Sequence, residues 1–403
     1  MNSTTQTLPS LGLHTNWKQF TLLVIVNVFV GAMFGLERSI FPEYAEKVFG
    51  ITSATAILSF IIAFGISKAV TNYFTGKLIS YFGRKRLLVI GWMWALPIPW
   101  LLVVANSWAW VVIANLLLGI SQGLTWSSAV IMKIDLVGEK QRGLAMGFNE
   151  FAGYFAVGIV AWVSAWIATN YGIKPFPFYL GIGFTFIGLL LSWIWVKDTT
   201  HFVNTEAKQS MQTTHQNIFW ATTWKDKNLG SITQAGFVNN LNDGMMWGLF
   251  PVFLANASIP LNHIGWIVAL YPTTWGILQI FTGRLADILP KKQMLFGGML
   301  LQGIVISLLP FFTSIPWITL LAILLGLGTA WVYPTFLAAI ATYTHPTQRA
   351  ESLGIFRFWR DMGYAIGALL SGIIADKWGV ASAIFFIGII TIFSALIVQV
   401  RAK

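Results

Sequence analysis

Apolar runs of about twenty residues, broken by short polar stretches, recur along the whole chain. A bilayer core about 30 Å thick takes roughly 20 mostly apolar residues per helix. Twelve runs meet that length, near 18–40, 51–74, 86–105, 108–132, 145–167, 176–196, 229–254, 264–286, 293–312, 316–341, 352–374 and 380–400. The stretch before Trp17 is polar. The first run exceeds a signal-peptide core and lacks a small-residue cleavage site, so it reads as a span. The pattern predicts an all-α membrane protein with twelve transmembrane helices.

Composition agrees with that reading. Of 403 residues 56% are hydrophobic and 10% charged, against about 25% charged in soluble domains. Too little polar surface exists to cover several soluble cores. The 37 Gly and 20 Trp and a mean hydropathy of +0.70 suit a membrane bundle with interfacial tryptophans. No cysteine is present, which excludes disulfides, thiolate metal sites and cysteine nucleophiles. The five histidines show no metal-binding spacing, so no metal and no cofactor are expected.

Charge fixes the predicted orientation. With both termini in the cytoplasm, only Lys47, Lys174 and Lys377 among the basic residues fall outside, and the net charge of +11 lies wholly on the cytoplasmic side. Lysine and arginine gather there in membrane proteins, so the basic balance needs no nucleic-acid partner. The expected location is a bacterial inner membrane, and the expected working unit is a monomer.

Sliding the chain by 207 residues pairs Gly76 with Gly283, Gly119 with Gly326, Arg142 with Arg349 and Gly147 with Gly354. In the first helix of each half an offset of 209 joins Gly35 to Gly244. A six-helix unit has been duplicated, and an even helix count gives both copies the same orientation. The predicted organisation is a tail (1–17), a six-helix bundle (18–196), a cytoplasmic linker (197–228) and a second bundle (229–400).

The turn between helices 2 and 3 reads GKLISYFGRKR from Gly76, and its repeat between helices 8 and 9 reads GRLADILPKK from Gly283. Taken alone, glycine permits a tight turn, the basic residues anchor the loop and the acid can cap a helix start. With the helix count, duplication and linker, these motifs resemble the major facilitator superfamily, and the resemblance extends over nearly the whole chain. It implies two pseudo-symmetric six-helix bundles, with helices 1, 4, 7 and 10 around a central cavity. It also implies gating by Gly76, Gly83, Arg84, Gly283, Arg284, Asp287, Arg142 and Arg349. The family's loop acid, which helps latch the two halves, is kept at Asp287 but replaced by Ser80 in the first copy. The arginine often found in helix 4 of proton antiporters and the Gly-Pro element of helix 5 in exporters are both absent.

An ionisable group at mid-bilayer costs about 2.5–3.5 kcal/mol on insertion scales and persists where it faces a cavity or a partner. Eight such groups stand out: Glu37, Arg38, Lys68, Glu150, Asp243, Arg357, Arg360 and Asp361. They divide equally by sign. Arg357 and Asp361 fall at i and i+4 on one helix face, and Lys68 is placed to meet Asp361 or Arg357. Two readings stay open: a structural ion pair, or substrate and proton handling. Glu37 and Arg38 lie near the outer end of helix 1, within reach of water. Glu150 is read either as functional or as a partner of Arg142 or Lys133. Helix 7 offers Asn240 and Asp243 on its cavity face. Asn27, Asn115, Gln122, Trp126, Tyr271, Gln279 and Tyr333 complete the polar and aromatic lining set.

These features predict a secondary active transporter of a small polar or charged organic molecule, working by alternating access. The nucleotide motif GxxxxGK followed by Ser or Thr is missing, so ATP gives no drive. A proton is the expected coupling ion because buried carboxylates change charge as their surroundings switch between wet and dry. Proton-coupled export leads; uptake of an organic anion or zwitterion, and a non-transporting receptor on the same scaffold, are the alternatives. No enzyme constellation is found.

Overall fold

The computed structural model describes residues 10–38, 40–51, 54–207, 212–259 and 261–403. Lipid cannot satisfy exposed backbone N–H and C=O groups, so each apolar run closes its own hydrogen bonds as a helix. The first half contains α1 (Trp17–Arg38), α2 (Ala54–Phe82), α3 (Arg84–Ala95, continued by Pro97–Val104), α4 (Trp108–Val137), α5 (Arg142–Tyr171) and α6 (Phe176–Ile194). The second half contains α7 (Lys227–Asn256), α8 (Leu261–Ile288), α9 (Lys291–Leu308), α10 (Ile315–Thr342), α11 (Arg349–Trp378) and α12 (Val380–Arg401). Among the described residues, eight of these helices are long and apolar enough to cross a membrane by length and composition. The other four, α2, α7, α8 and α11, carry Lys68, Asp243, Gln279 and the Arg360–Asp361 pair.

Packing repeats between the halves. In the first, α2 lies against α4 and α1 against α5; in the second, α8 lies against α10 and α7 against α11. The halves meet along two seams, α2 with α11 and α5 with α8. The segment joining α6 to α7 marks one end of the bundle, termed here the linker end; the opposite end is the far end. A short helix, Phe41–Phe49, follows α1 at the far end and buries Phe41 and Tyr44 against Phe178.

The structure corrects the reading of the two repeated loops. Helix α2 runs on through Phe82, so Gly76 lies inside a helix, and Gly283 is likewise within α8. Only Gly83 supplies a turn conformation, with φ of 79° between α2 and α3. Gly76 and Gly283 instead let backbones touch across the seams. A Cβ on Gly76 would stand 2.6 Å from the Ala350 carbonyl oxygen, and one on Gly283 would stand 2.6 Å from that of Gly143. Small residues allow this close approach. Gly76→Val is therefore expected to destabilise this end by about 1–3 kcal/mol, as overpacking does. A thermal unfolding scan in detergent measures it, and an unchanged midpoint would rule the contact out as a stabilising one.

The polar linker is ordered in part. Thr200–Ala207 is helical and buries Phe202, Val203 and Glu206. A turn of π-helix, Ala221–Lys225, leads into α7. Lys133 and Asp135, which the hydrophobic pattern assigns to a cytoplasmic loop, lie within α4 and are buried.

Candidate functional site

Where the seams separate, a cavity of about 790 Å³ lies between the halves. Its charged lining is Lys68 of α2, Asp243 of α7, and Arg360 and Asp361 of α11. Asn240, Tyr333, Tyr154 and Trp275 complete the wall around that end. Helical spacing brings Asn240 and Asp243 onto one face, and Arg360, Asp361 and Tyr364 onto another.

Asp361 is the most heavily partnered group. It accepts from Asn72 Nδ2 at 2.6 Å, from Asn240 Nδ2 at 3.4 Å, and from Arg360 Nη2 at 3.0 Å. The network continues away from the cavity: Ser127 Oγ donates to Asn72 Oδ1 at 2.5 Å, and Arg357 Nη1 donates to Ser127 Oγ at 2.9 Å. Two helices of each half are thus joined by one chain of hydrogen bonds. The cation paired with Asp361 is its neighbour Arg360. Arg357, four residues earlier, is drawn to Ser127 across the interface, so the expected i, i+4 pair does not form.

Among the described residues Lys68 makes no ion pair within 4.0 Å. Its ammonium sits over the rings of Phe64, Trp126 and Phe34 at 5.2, 5.3 and 5.7 Å. Cation–π attraction holds such a group while leaving it able to meet an incoming acceptor. Asp243 accepts a hydrogen bond from the Tyr271 hydroxyl, which also lies 3.2 Å from Thr329 Oγ1. Tyr154 and Tyr333 share a hydrogen bond of 2.9 Å across the two halves, with Trp275 packed on both rings.

Several expected lining residues do not reach this cavity. Asn27 donates to the Asn149 carbonyl at 2.7 Å, Asn115 to Val111 at 3.0 Å and Gln122 to Val30 at 2.7 Å, so these amides tie helices together. Trp126 reaches over Lys68 and donates to Glu150 at 3.4 Å. Glu150 also accepts from Asn149 and pairs with neither Arg142 nor Lys133; the Lys133 ammonium donates to the Leu23 carbonyl at 3.1 Å. Glu37 is 2% exposed, so it does not reach water as expected. The Arg38 side chain lies outside the described residues. Gln279 is buried at the α5–α8 seam with no protein partner for either amide atom among the described residues.

The linker end is closed by a second polar cluster. Asp287 of α8 accepts from the N–H groups of Gly143, at 2.6 Å, and Leu144, at 2.9 Å, capping the start of α5 in the other half. Ser80, at the equivalent position of the first copy, donates to Lys77 in its own helix, so the family's first loop acid has no counterpart there. Glu206 of the linker supplies a different clasp. It accepts from Arg349 Nη1 at 2.8 Å and Nη2 at 2.7 Å, and from Arg142. Arg142 also donates to the Ala341 carbonyl in the second half, at 3.2 Å. Beside it, Asp135 pairs with Arg84 at 3.0 Å and lies 4.0 Å from Arg349. Burial alone would raise the Glu206 carboxyl; the hydrogen bonds and charges of Arg349 and Arg142 outweigh it and hold that carboxyl below its usual range. Gly83 forms the nearby turn, whereas Arg284 is exposed and joins neither cluster.

The pattern of Asp287 and Arg349 could have been found from the duplication. Ser127, Tyr154 and Glu206 carried no such signal.

Two pseudo-symmetric helical halves around a charged internal cavity, closed at one end, define a membrane carrier. The chain belongs to the Major Facilitator Superfamily, whose model matches residues 23–235 and 232–402. It is 23% identical over 403 residues to the proton-coupled antiporter flippase LtaA of Staphylococcus saprophyticus, covering 96% of this chain and 95% of that one. An uncharacterized MFS-type transporter of Methanocaldococcus jannaschii is 26% identical over 178 residues, 44% of this chain and 46% of its own. The crystal structure of the human organic anion transporter MFSD10 (TETRAN) shares the fold, with a TM-score of 0.80 and 15% identity, covering 95% of this chain and 99% of that one.

Proposed function

We propose that this protein is a secondary active carrier that exports a small polar or charged organic molecule in exchange for protons, by alternating exposure of the cavity between its halves. One observation carries the reading: Lys68 of the first half and Asp243, Arg360 and Asp361 of the second converge in a cavity whose linker end is sealed by separate interlobe contacts. A site shared by two rocking bodies, with its gate elsewhere, is what alternating access requires. The similarity to a proton-coupled antiporter flippase supports the coupling ion. In this proposal the linker and both termini face the cytoplasm of a bacterium, the present conformation is closed on that side, and the monomer is the working unit.

Asp243 is the proposed proton carrier. It faces the cavity and has one hydroxyl partner, while Asp361 is committed to Arg360 and two amides. A substrate donor group on Asp243 would displace its proton, so that substrate and proton exclude each other as exchange demands. The unpartnered amide of Gln279 and the Nε and Nη2 atoms of Arg357 lie towards the sealed side. Buried polar atoms of this kind find partners in water, and opening of the linker end would hydrate them.

The test uses purified protein in liposomes. Compounds that raise the thermal unfolding midpoint in detergent at two pH values are loaded as labelled substrates, and a pH gradient is imposed. Movement driven by the gradient and abolished by a protonophore is expected. Ligands that bind but move under no gradient would establish a receptor instead.

A further inference from the structure

The two seams differ along their length. Near the linker end both are tight: a Cβ on Gly76 would lie 2.6 Å from Ala350 of α11, and one on Gly147 would lie 2.4 Å from Gln279 of α8. Eleven residues further along, roughly 16 Å at 1.5 Å per residue, they part company. On α2, a Cβ on Gly65 would still be in contact with Ala365 at 3.6 Å. On α5, a Cβ on Gly158 would meet nothing within 4 Å, and the same holds for Gly276 on α8, three residues from Gln279. Only the α5–α8 seam opens.

The cavity runs into that opening. Phe155, Ile159 and Trp162 of α5 and Ile277 of α8 line it and also belong to the exterior, with exposures of 51, 45, 70 and 48%. In a membrane these surfaces face acyl chains. A substrate dissolved only in water has no use for an apolar slot joined sideways to the bilayer, whereas a lipid-like tail can lie there without leaving hydrocarbon.

The charged end selects the head. Lys68 and Arg360 share the lining with Asp243 and Asp361, so it offers two cationic and two carboxylate side chains. A head with net charge would leave an uncompensated charge in a dry site, which is costly. The Lys68 ammonium lies over aromatic rings and, among the described residues, in no ion pair, which leaves it available to an oxyanion; Asp243 accepts from the Tyr271 hydroxyl and is available to a cationic donor. We infer that the substrate is a zwitterionic amphiphile, with an acidic oxygen group at Lys68, an ammonium at Asp243 and an apolar tail in the α5–α8 cleft. This rests on the carrier reading above.

The experiment uses proteoliposomes and lysophospholipids labelled with a dithionite-quenchable fluorophore on the tail: lysophosphatidylethanolamine as the zwitterion and lysophosphatidylglycerol as the anion. Radiolabelled phosphoethanolamine serves as the head without a tail. The zwitterionic lipid is expected to cross at least about 10-fold faster than in protein-free vesicles and about 5-fold faster than the anionic one, while phosphoethanolamine stays put. Gly158→Leu and Gly276→Leu, which fill open space, should each slow it at least about 10-fold with unchanged unfolding midpoints. Ile277→Trp provides an independent block from the exposed rim, should either glycine variant fold poorly. Gradient-driven movement of phosphoethanolamine, or zwitterion transport unaffected by all three variants, would overturn the tail site and leave the carrier reading standing. Equal rates for the anionic lipid would overturn the head assignment. If neither lipid nor any compound bound in the unfolding screen moves, the carrier reading falls and this inference with it.

Discussion

Asp243→Asn is expected to reduce pH-gradient-driven movement about 100-fold or more, the scale on which a positioned proton-transferring group acts. Asparagine keeps the size of the side chain and an oxygen that can accept from Tyr271, so the local structure persists. What it loses is the capacity to take up a proton. Exchange of labelled for unlabelled substrate without a gradient should fall far less, because the asparagine oxygen can still accept from the substrate's donor group and that reaction needs no net proton transfer. Parallel measurement of the two rates in liposomes distinguishes a coupling residue from a structural one. Normal gradient-driven transport in the variant would remove Asp243 from the mechanism. Loss of both reactions, with the unfolding midpoint retained, would make it a substrate contact only.

The second large effect lies outside the membrane core. Glu206→Gln is expected to open the linker end. The carboxylate receives two arginines from different halves, and its neutral replacement leaves Arg142 and Arg349 facing each other without it. Breaking a buried charge pair from one side costs about 3–5 kcal/mol. A loss of about 3 kcal/mol from the closed state changes the open-to-closed ratio roughly 100-fold. The chain has no native cysteine, so a single Ala145→Cys, buried near the start of α5, serves as reporter. Its rate of reaction with a membrane-impermeant maleimide should rise steeply in Glu206→Gln. An unchanged rate would show that Asp287 and the glycine contacts hold the end closed without the linker.

The same group gives a pH expectation. The folded pKa of Glu206 is depressed, so its stabilisation is complete above the unfolded value of about 4.3 and is lost as pH falls through the lower folded value. Labelling of Ala145→Cys in the otherwise native chain should be flat from pH 8 to about pH 5 and rise only in stronger acid. A rise between pH 8 and pH 6 would contradict this assignment. The clasp is thus expected to be insensitive over the range in which a proton gradient works, which leaves the proposed coupling to the cavity carboxylates.

The helices were legible because a membrane span is a long one-dimensional signal, and the duplication was legible because glycines and arginines recur at a fixed offset. The meaning of those glycines was not. Gly76 suits a turn as well as a close approach, and its role is decided by Gly354, 278 positions away in the chain. The apolar run stops at Met132, which places Lys133 and Asp135 in a loop by pattern alone, yet tertiary burial extends α4 beyond them. Helical spacing favoured Arg357 as the partner of Asp361; the hydroxyl of Ser127, on another helix, takes Arg357 away. Glu206 sits in a stretch with no periodicity, and nothing local marks it as the link between two arginines. Sequence pattern thus located Lys68, Asn240, Asp243, Arg360 and Asp361 together, but not the wiring among them.

The glycine seams carry a consequence for how the lobes come apart. Where main chain touches main chain, no side chain can pivot to a second rotamer and maintain partial contact as the gap grows. Separation by even an ångström forfeits much of the dispersion attraction along the whole line. Half-parted lobes therefore gain little from either arrangement, which favours a switch with two sharply defined stopping points over a graded hinge.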